Sequence, residues 1–260
     1  MDYNTLLISE NKDVVTVALN RPDIHNAMNE SLVKELTECF TGLNNKKNVR
    51  AVILTGNGKS FCGGADINWM KSMIKYSKKE NIEYSKKLLG LFETIYSCRK
   101  PVIGRINGNA FGGGLGLIAV CDVSISTPGL TFAFSETKLG IIPSVISTYV
   151  IRRIGPANAR RLFITGERFS SEYAKEIGLI DYIVPANELD ARIQRVVEEM
   201  KTSAPFSIVE VKNLIKKHQE MGIDEYKKYT VHKIAELRVS EEGLEGTTAF
   251  LEKRKPKWGD

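Results

Sequence analysis

The chain has 260 residues, 42% of them hydrophobic, enough for one large domain or a domain with an appendage. Its apolar runs fall short of the roughly 18 residues a membrane span needs, and Met1-Asp2-Tyr3-Asn4 does not open a signal peptide. A net charge of +6 suits an anionic partner, while four scattered cysteines without a C-x-x-C pair argue against zinc or disulfides and for a reducing, cytoplasmic setting.

Leu6 to Ser9 and Val14 to Leu19 flank a polar tetrapeptide and predict a hairpin. After the break at Asn20-Arg21-Pro22-Asp23, Asn29 can cap a helix with Leu32, Val33, Leu36, Phe40 and Leu43 at helical spacing. Val49 to Thr55 reads as a strand ended by Gly56-Asn57-Gly58. The turn Phe61-Cys62-Gly63-Gly64-Ala65-Asp66 follows, then one charged helical region to about Cys98 carrying Lys71, Lys75, Lys78, Lys79, Lys86 and Lys87. Val102 to Ile106 predicts a buried strand leading into Asn107 to Asp122, where Gly112, Gly113 and Gly114 open an apolar helix.

Val123 to Ser126 and Thr131 to Phe134 are further strands, the second tipped by Ser135-Glu136. Helices are expected to open at Gly155 and at Ser170, and a final strand spans Ile180 to Val184. Strand and helix units therefore recur in an α/β core over 1–188, with sites expected at the C-terminal ends of strands. Over 189–260 glycine thins and four amphipathic helices predict a C-terminal region whose apolar faces pack on a neighbouring subunit.

The Gly112 to Gly114 turn allows close backbone approach, and a helix starting there presents unpaired N–H groups and a positive dipole end. Such a place suits a phosphate, a carboxylate or a developing oxyanion, and equally a turn tightened only for packing. Neither glycine turn matches a P-loop, and G-x-G-x-x-G spacing is missing, which disfavours a dinucleotide site. If the strands before the two turns are neighbours, one N–H from each can point at a single oxygen. Glu136, set among apolar residues, is expected to have a raised pKa that suits a general acid/base.

Asn20-Arg21-Pro22 with Asn26-Ala27, Phe61 to Asp66, Gly108 to Gly114, Cys121-Asp122 and Phe134 to Pro143 occur in an order and spacing that resembles the enoyl-CoA hydratase/isomerase (crotonase) family. The resemblance covers essentially the whole chain. It implies a crotonase-like spiral of ββα units with a helical C-terminal region, assembled as a homotrimer or a dimer of trimers. It also implies an acyl-CoA thioester substrate, with coenzyme A as part of the substrate and no separate cofactor or metal. The N–H groups of Ala65 and Gly113 would form the oxyanion hole and Glu136 the acid/base. Contacts to coenzyme A would come from His25, Asn26, Ala27, Ala65, Asp66, Ile67 and Asn68, with Phe250 and Lys253 reaching its far end across a subunit boundary.

One position departs from the family. Typical hydratases carry a second glutamate where this chain has Gly116. Glu136 alone could shuttle one proton, as in a Δ3,Δ2-enoyl-CoA isomerase or a decarboxylase, or both protons of a one-base hydration. The segment Ile142 to Val150 with Gly112 to Gly116 and Ala65 to Met70 looks like bacterial methylglutaconyl-CoA hydratases of leucine catabolism. Such a substrate has a distal carboxylate, for which Lys71, Arg152 and His232 are candidates. A different class, RNA binding through the lysines from Lys71 to Lys87, lacks an interleaved aromatic platform.

Overall fold

The computed structural model describes residues 3–258. A hairpin of β1 (Leu6–Asn11) and β2 (Val14–Leu19) leads to α1 (Glu30–Asn45), whose first turn is capped by the Asn29 side chain accepting from the Leu32 N–H. The next turn of the chain supplies β3 (Ala51–Gly56), β4 (Ser60–Cys62), α2 (Ile67–Met73) and α3 (Lys78–Tyr96). A further turn supplies β5 (Val102–Ile106), β6 (Asn109–Phe111) and α4 (Gly113–Ala119). Then come β7 (Val123–Ser126), β8 (Thr131–Ala133) and α5 (Ser144–Thr165). Finally β9 (Arg168–Ser170), α6 (Ser171–Glu176) and β10 (Tyr182–Ile183) precede α7 (Leu189–Lys201), α8 (Pro205–Glu220), α9 (Ile223–Arg238) and α10 (Glu241–Leu251).

The six-stranded sheet is ordered β1-β2-β3-β5-β7-β10 and the four-stranded sheet β4-β6-β8-β9; the three middle turns each give one longer strand (β3, β5, β7) to the first and one short strand (β4, β6, β8) to the second. Within the first sheet β2, β3, β5, β7 and β10 run parallel; within the second, β4, β6 and β8 do. This is the spiral of ββα units expected above. Side chains alternate across the long strands: Val52 and Leu54 enter the main core, while Ala51 faces the other way. The main core gathers Leu32, Leu36 and Phe40 of α1 with Leu91, Phe92 and Ile95 of α3 and Leu115 and Ile118 of α4. On the opposite face, Leu189, Ile193 and Val197 of α7 cover Ala51, Ile103 and Ile125.

Two local expectations differ. The lysine-rich region is two helices, because the Ser77 hydroxyl and the Glu80 side chain close a capping box that starts α3 afresh. The helix expected to open at Gly155 begins eleven residues earlier, at Ser144; Gly155 (φ 75°) and Pro156 make a kink inside it. Beyond α7, the helices leave Val211, Ile215, Val231, Leu244, Phe250 and Leu251 exposed. Among the described residues, no helix is long and apolar enough to cross a membrane.

Candidate active site

The site follows from the order of the small sheet. Strands β4, β6 and β8 are parallel neighbours, so the segments leaving their C-terminal ends lie side by side. Those segments are Gly63 to Asp66, Gly112 to Gly114, and Ser135-Glu136. The Gly112 N–H donates to the Ala133 carbonyl at 3.0 Å, tying the second segment to the third. Gly64 (φ 91°) turns so closely over β6 that a Cβ there would stand 3.1 Å from the Phe111 carbonyl oxygen. The two glycine turns expected to share an edge do share one.

One side of this edge is a frame whose polar groups are satisfied. Asn26 is fully buried and left-handed (φ 56°), a conformation asparagine tolerates better than most residues. Its Oδ1 accepts from the Arg21 N–H, and its Nδ2 donates to the carbonyls of Asn57 and Ser60 at 2.9 and 2.8 Å. The Arg21 guanidinium donates to the Ala27 carbonyl and, at 2.7 Å, to Asp66 Oδ2. Asp66 Oδ1 accepts from the Asn68 and Trp69 N–H groups and so caps α2. Burial pushes the Asp66 carboxyl up, but Arg21 and the two N–H groups outweigh it and hold the pKa below 3.8. Met28 pairs with the turn as a short strand, its N–H donating to the Gly64 carbonyl and its carbonyl accepting from the Asp66 N–H.

The other side carries Glu136. Its Oε1 lies 3.1 Å from where a Cβ on Gly112 would sit, so a side chain at 112 would crowd the carboxyl. Its Oε2 is buried and has no hydrogen-bond partner. Burial raises the Glu136 pKa above 4.5, and its own backbone N–H offsets only part of that. Nearby, Met28 Sδ lies 3.6 Å from the Cβ position of Gly113. Among the described residues, neither the Ala65 N–H nor the Gly113 N–H donates within the chain. The Cys62 thiol, fully buried in the first turn, is pushed up to about 12 by its burial, which leaves no thiolate nucleophile at neutral pH.

Gly116 faces no gap. A Cβ there would fall on Ile146 Cγ2 and stand 2.9 Å from Phe92 Cε1. The place where a second carboxyl would project is filled by apolar side chains from α5 and α3.

A cavity of about 720 Å³ adjoins the frame, lined by His25, Ala27, Ala65, Asp66, Ile67 and Asn68 among the residues named from sequence. His25 is exposed, with Nδ1 2.9 Å from Ser60 Oγ. Asn26 does not line it; its side chain is turned into the loop it braces. Phe250, 81% exposed, and Lys253 lie at the end of α10 and do not line it either. Lys71, Arg152 and His232 are exposed and stand outside its wall. The cavity adds Asn109, Phe111 and Arg168, which sequence reading missed. Among the described residues Arg168 has no acidic partner. Its three-residue strand has no periodicity to reveal it; only pairing with β8 brings it here.

Chemically, the edge offers backbone donors from two turns beside a buried carboxyl poised to exchange a proton. Residues 9–260 match the family model described as enoyl-CoA hydratase/isomerase. The chain is 32% identical to a short-chain-enoyl-CoA hydratase of Clostridium acetobutylicum, over 98% of this chain and 97% of that one. A crystal structure of an enoyl-CoA hydratase from Shewanella pealeana superposes with a TM-score of 0.94 at 36% identity, covering 98% of this chain and 96% of that one. Pseudomonas aeruginosa AtuE superposes with a TM-score of 0.95 at 32% identity, covering 99% and 100%. The chain belongs to the enoyl-CoA hydratase/isomerase family and has its crotonase fold.

Proposed function

We propose that this enzyme is a hydratase-type lyase that adds water to a short or branched enoyl-CoA, 3-methylglutaconyl-CoA or a close relative, through a thioester enolate. The observation that carries this reading is the buried Glu136 carboxyl, with an unpartnered oxygen, beside the turn that holds Gly113. The N–H groups of Ala65 and Gly113 bind the thioester oxygen. Charge reaches that oxygen only on the way to the enolate, so their stabilisation is larger in the transition state than in the bound substrate. Each such donor is worth about 10²- to 10³-fold in rate.

Glu136 serves both proton transfers. As a carboxylate it takes a proton from water as the water oxygen bonds to the β-carbon and the electron pair of the double bond moves into the enolate. As the resulting carboxylic acid it returns that proton to the α-carbon, and the thioester is restored. A raised pKa favours this return step. With Ile146 and Phe92 over Gly116, no second carboxyl shares the work. His25 and Arg168 along the cavity supply donors for the phosphates of coenzyme A. No separate cofactor is needed for this chemistry.

A second reading is favoured by Gly116. A single carboxyl also suits a Δ3,Δ2-enoyl-CoA isomerase, which moves one proton between carbons, or a decarboxylase. Incubating the purified protein with crotonyl-CoA, 3-methylglutaconyl-CoA and a 3-enoyl-CoA and identifying products separates these. A 3-hydroxyacyl-CoA product is expected; a shifted double bond or released carbon dioxide without hydration would favour the second reading.

A further inference from the structure

Among the described residues, three buried side-chain polar atoms lack a hydrogen-bond partner: Glu136 Oε2, Trp69 Nε1 and Tyr84 Oη. An orphaned buried donor costs roughly 1–3 kcal/mol, so native proteins fill such positions unless a ligand does. The first of the three is the acid/base of the proposed reaction. The other two belong to one contact, with the Trp69 and Tyr84 rings 4.5 Å apart between centroids.

Neither side chain lines the cavity of about 720 Å³, but each stands on a helix that carries a residue of the site, Asn68 on α2 and Phe92 on α3. Trp69 lies one helical turn beyond the Ala65-Asp66 segment, and its own N–H is held by the Asp66 cap. Tyr84, only 6% exposed, shares the inner face of α3 with Phe92, the residue packed over Gly116. Tyr84 and Phe92 are eight positions apart, about 12 Å along the helix axis.

We infer that Trp69 Nε1–H and Tyr84 Oη–H form a distal subsite that receives an acceptor oxygen, a carboxylate, carried a few carbons from the thioester. This rests on the acyl-CoA reading above and names the groups that would recognise the far end of such a substrate. Both groups offer a donor: indole N–H can only donate, and burial with the nearby charge of Glu30 raises the Tyr84 pKa and keeps its hydroxyl protonated. Glu30 is itself paired with Lys87 at 2.8 Å, which limits its repulsion of an incoming anion, and Tyr76 is the other titratable neighbour. Exposed Lys71 on α2, Lys75 in the turn that follows it and Lys86 on α3 give this region a positive field. Helix α2 has no fully buried residue and meets the main core through the half-buried Trp69.

The test compares glutaryl-CoA with pentanoyl-CoA, saturated five-carbon thioesters that differ in a terminal carboxylate and cannot be hydrated. Calorimetric titration of the full-length protein is expected to show glutaryl-CoA binding at least about tenfold tighter. Trp69→Phe and Tyr84→Phe each keep a ring and remove one donor, and each should cut that ratio about fivefold or more. The double variant should bring it near one. No preference in the wild type, or an unchanged ratio in both single variants, would overturn the subsite. If neither thioester binds, the acyl-CoA reading falls and the subsite with it. If both bind with the expected ratio but crotonyl-CoA and 3-methylglutaconyl-CoA stay unhydrated, the subsite stands and only the hydratase reading fails.

Discussion

The two sides of the site are built in opposite ways. On the frame side, Asn26, Arg21 and Asp66 each make at least two side-chain hydrogen bonds, to one another or to nearby backbone. On the reacting side, Glu136, Trp69 and Tyr84 each keep a buried polar atom unmet. The first arrangement fixes the position of the Ala65 N–H before any ligand arrives. The second leaves functional groups in a low-dielectric place, where their interactions with substrate are stronger than in water. Hydrogen bonds are concentrated in the frame, and unmet groups where the proposed chemistry takes place.

Substitutions on the reacting side should therefore harm rate more than stability. Glu136→Gln keeps shape and removes the proton carrier, so turnover should fall by at least about 10²-fold while the fold is retained. Steady-state kinetics together with a thermal melt would check both halves.

Gly116→Glu tests whether the second carboxyl is missing for want of space. Ile146 and Phe92 occupy that position. The single variant should lose on the order of 3 kcal/mol from overpacking and a buried charge. Adding Ile146→Gly should recover part of that stability in a denaturant titration. Equal stability of Gly116→Glu and wild type would show that Ile146 does not seal the position.

On the frame side the order of effects should reverse. Asp66→Ala strands a half-buried Arg21 and removes the α2 cap, and should cost about 2 kcal/mol. Chemical denaturation reads this directly, and the accompanying loss of activity should come from misplacement of the Ala65 turn.

The smallest effect separates the two sides by pH. Asp66 has a lowered pKa, so its stabilisation is present above 3.8 and is lost as pH falls through its folded value. Glu136 has a raised pKa, so stability declines as pH rises from 4.5 through its folded value and stays lower above it. Glu136→Gln should thus become more stable than wild type across that same rise, and the two melting curves should converge below pH 4.5. A constant difference at every pH would contradict a buried, ionising Glu136.

Much of this site was legible from residue order alone, because glycine turns and a capping asparagine leave marks that do not depend on tertiary context. The pairing of the two turns and the position of Glu136 followed from those marks and the family resemblance. What stayed hidden depends on the second sheet. Strands β4, β6 and β9 have three residues each, too few to display alternation, yet their pairing sets Arg168 and Asn109 at the cavity. Asn26 and Asp66 were read as ligand contacts because the motif marks them; their buried hydrogen bonds build the frame, and Asp66 also lines the cavity. The Trp69–Tyr84 contact joins residues fifteen apart across a helix break that the lysine-rich composition concealed.

The central claim is that the turns after β4 and β6 direct two N–H groups at one thioester oxygen. The infrared spectrum of a bound enoyl-CoA labelled with ¹³C at the thioester carbonyl tests it most directly. Hydrogen bonds from Ala65 and Gly113 should polarise the carbonyl and move its stretch to lower frequency than in free thioester, in Glu136→Gln as in wild type. A carbonyl band unshifted on binding would contradict the account.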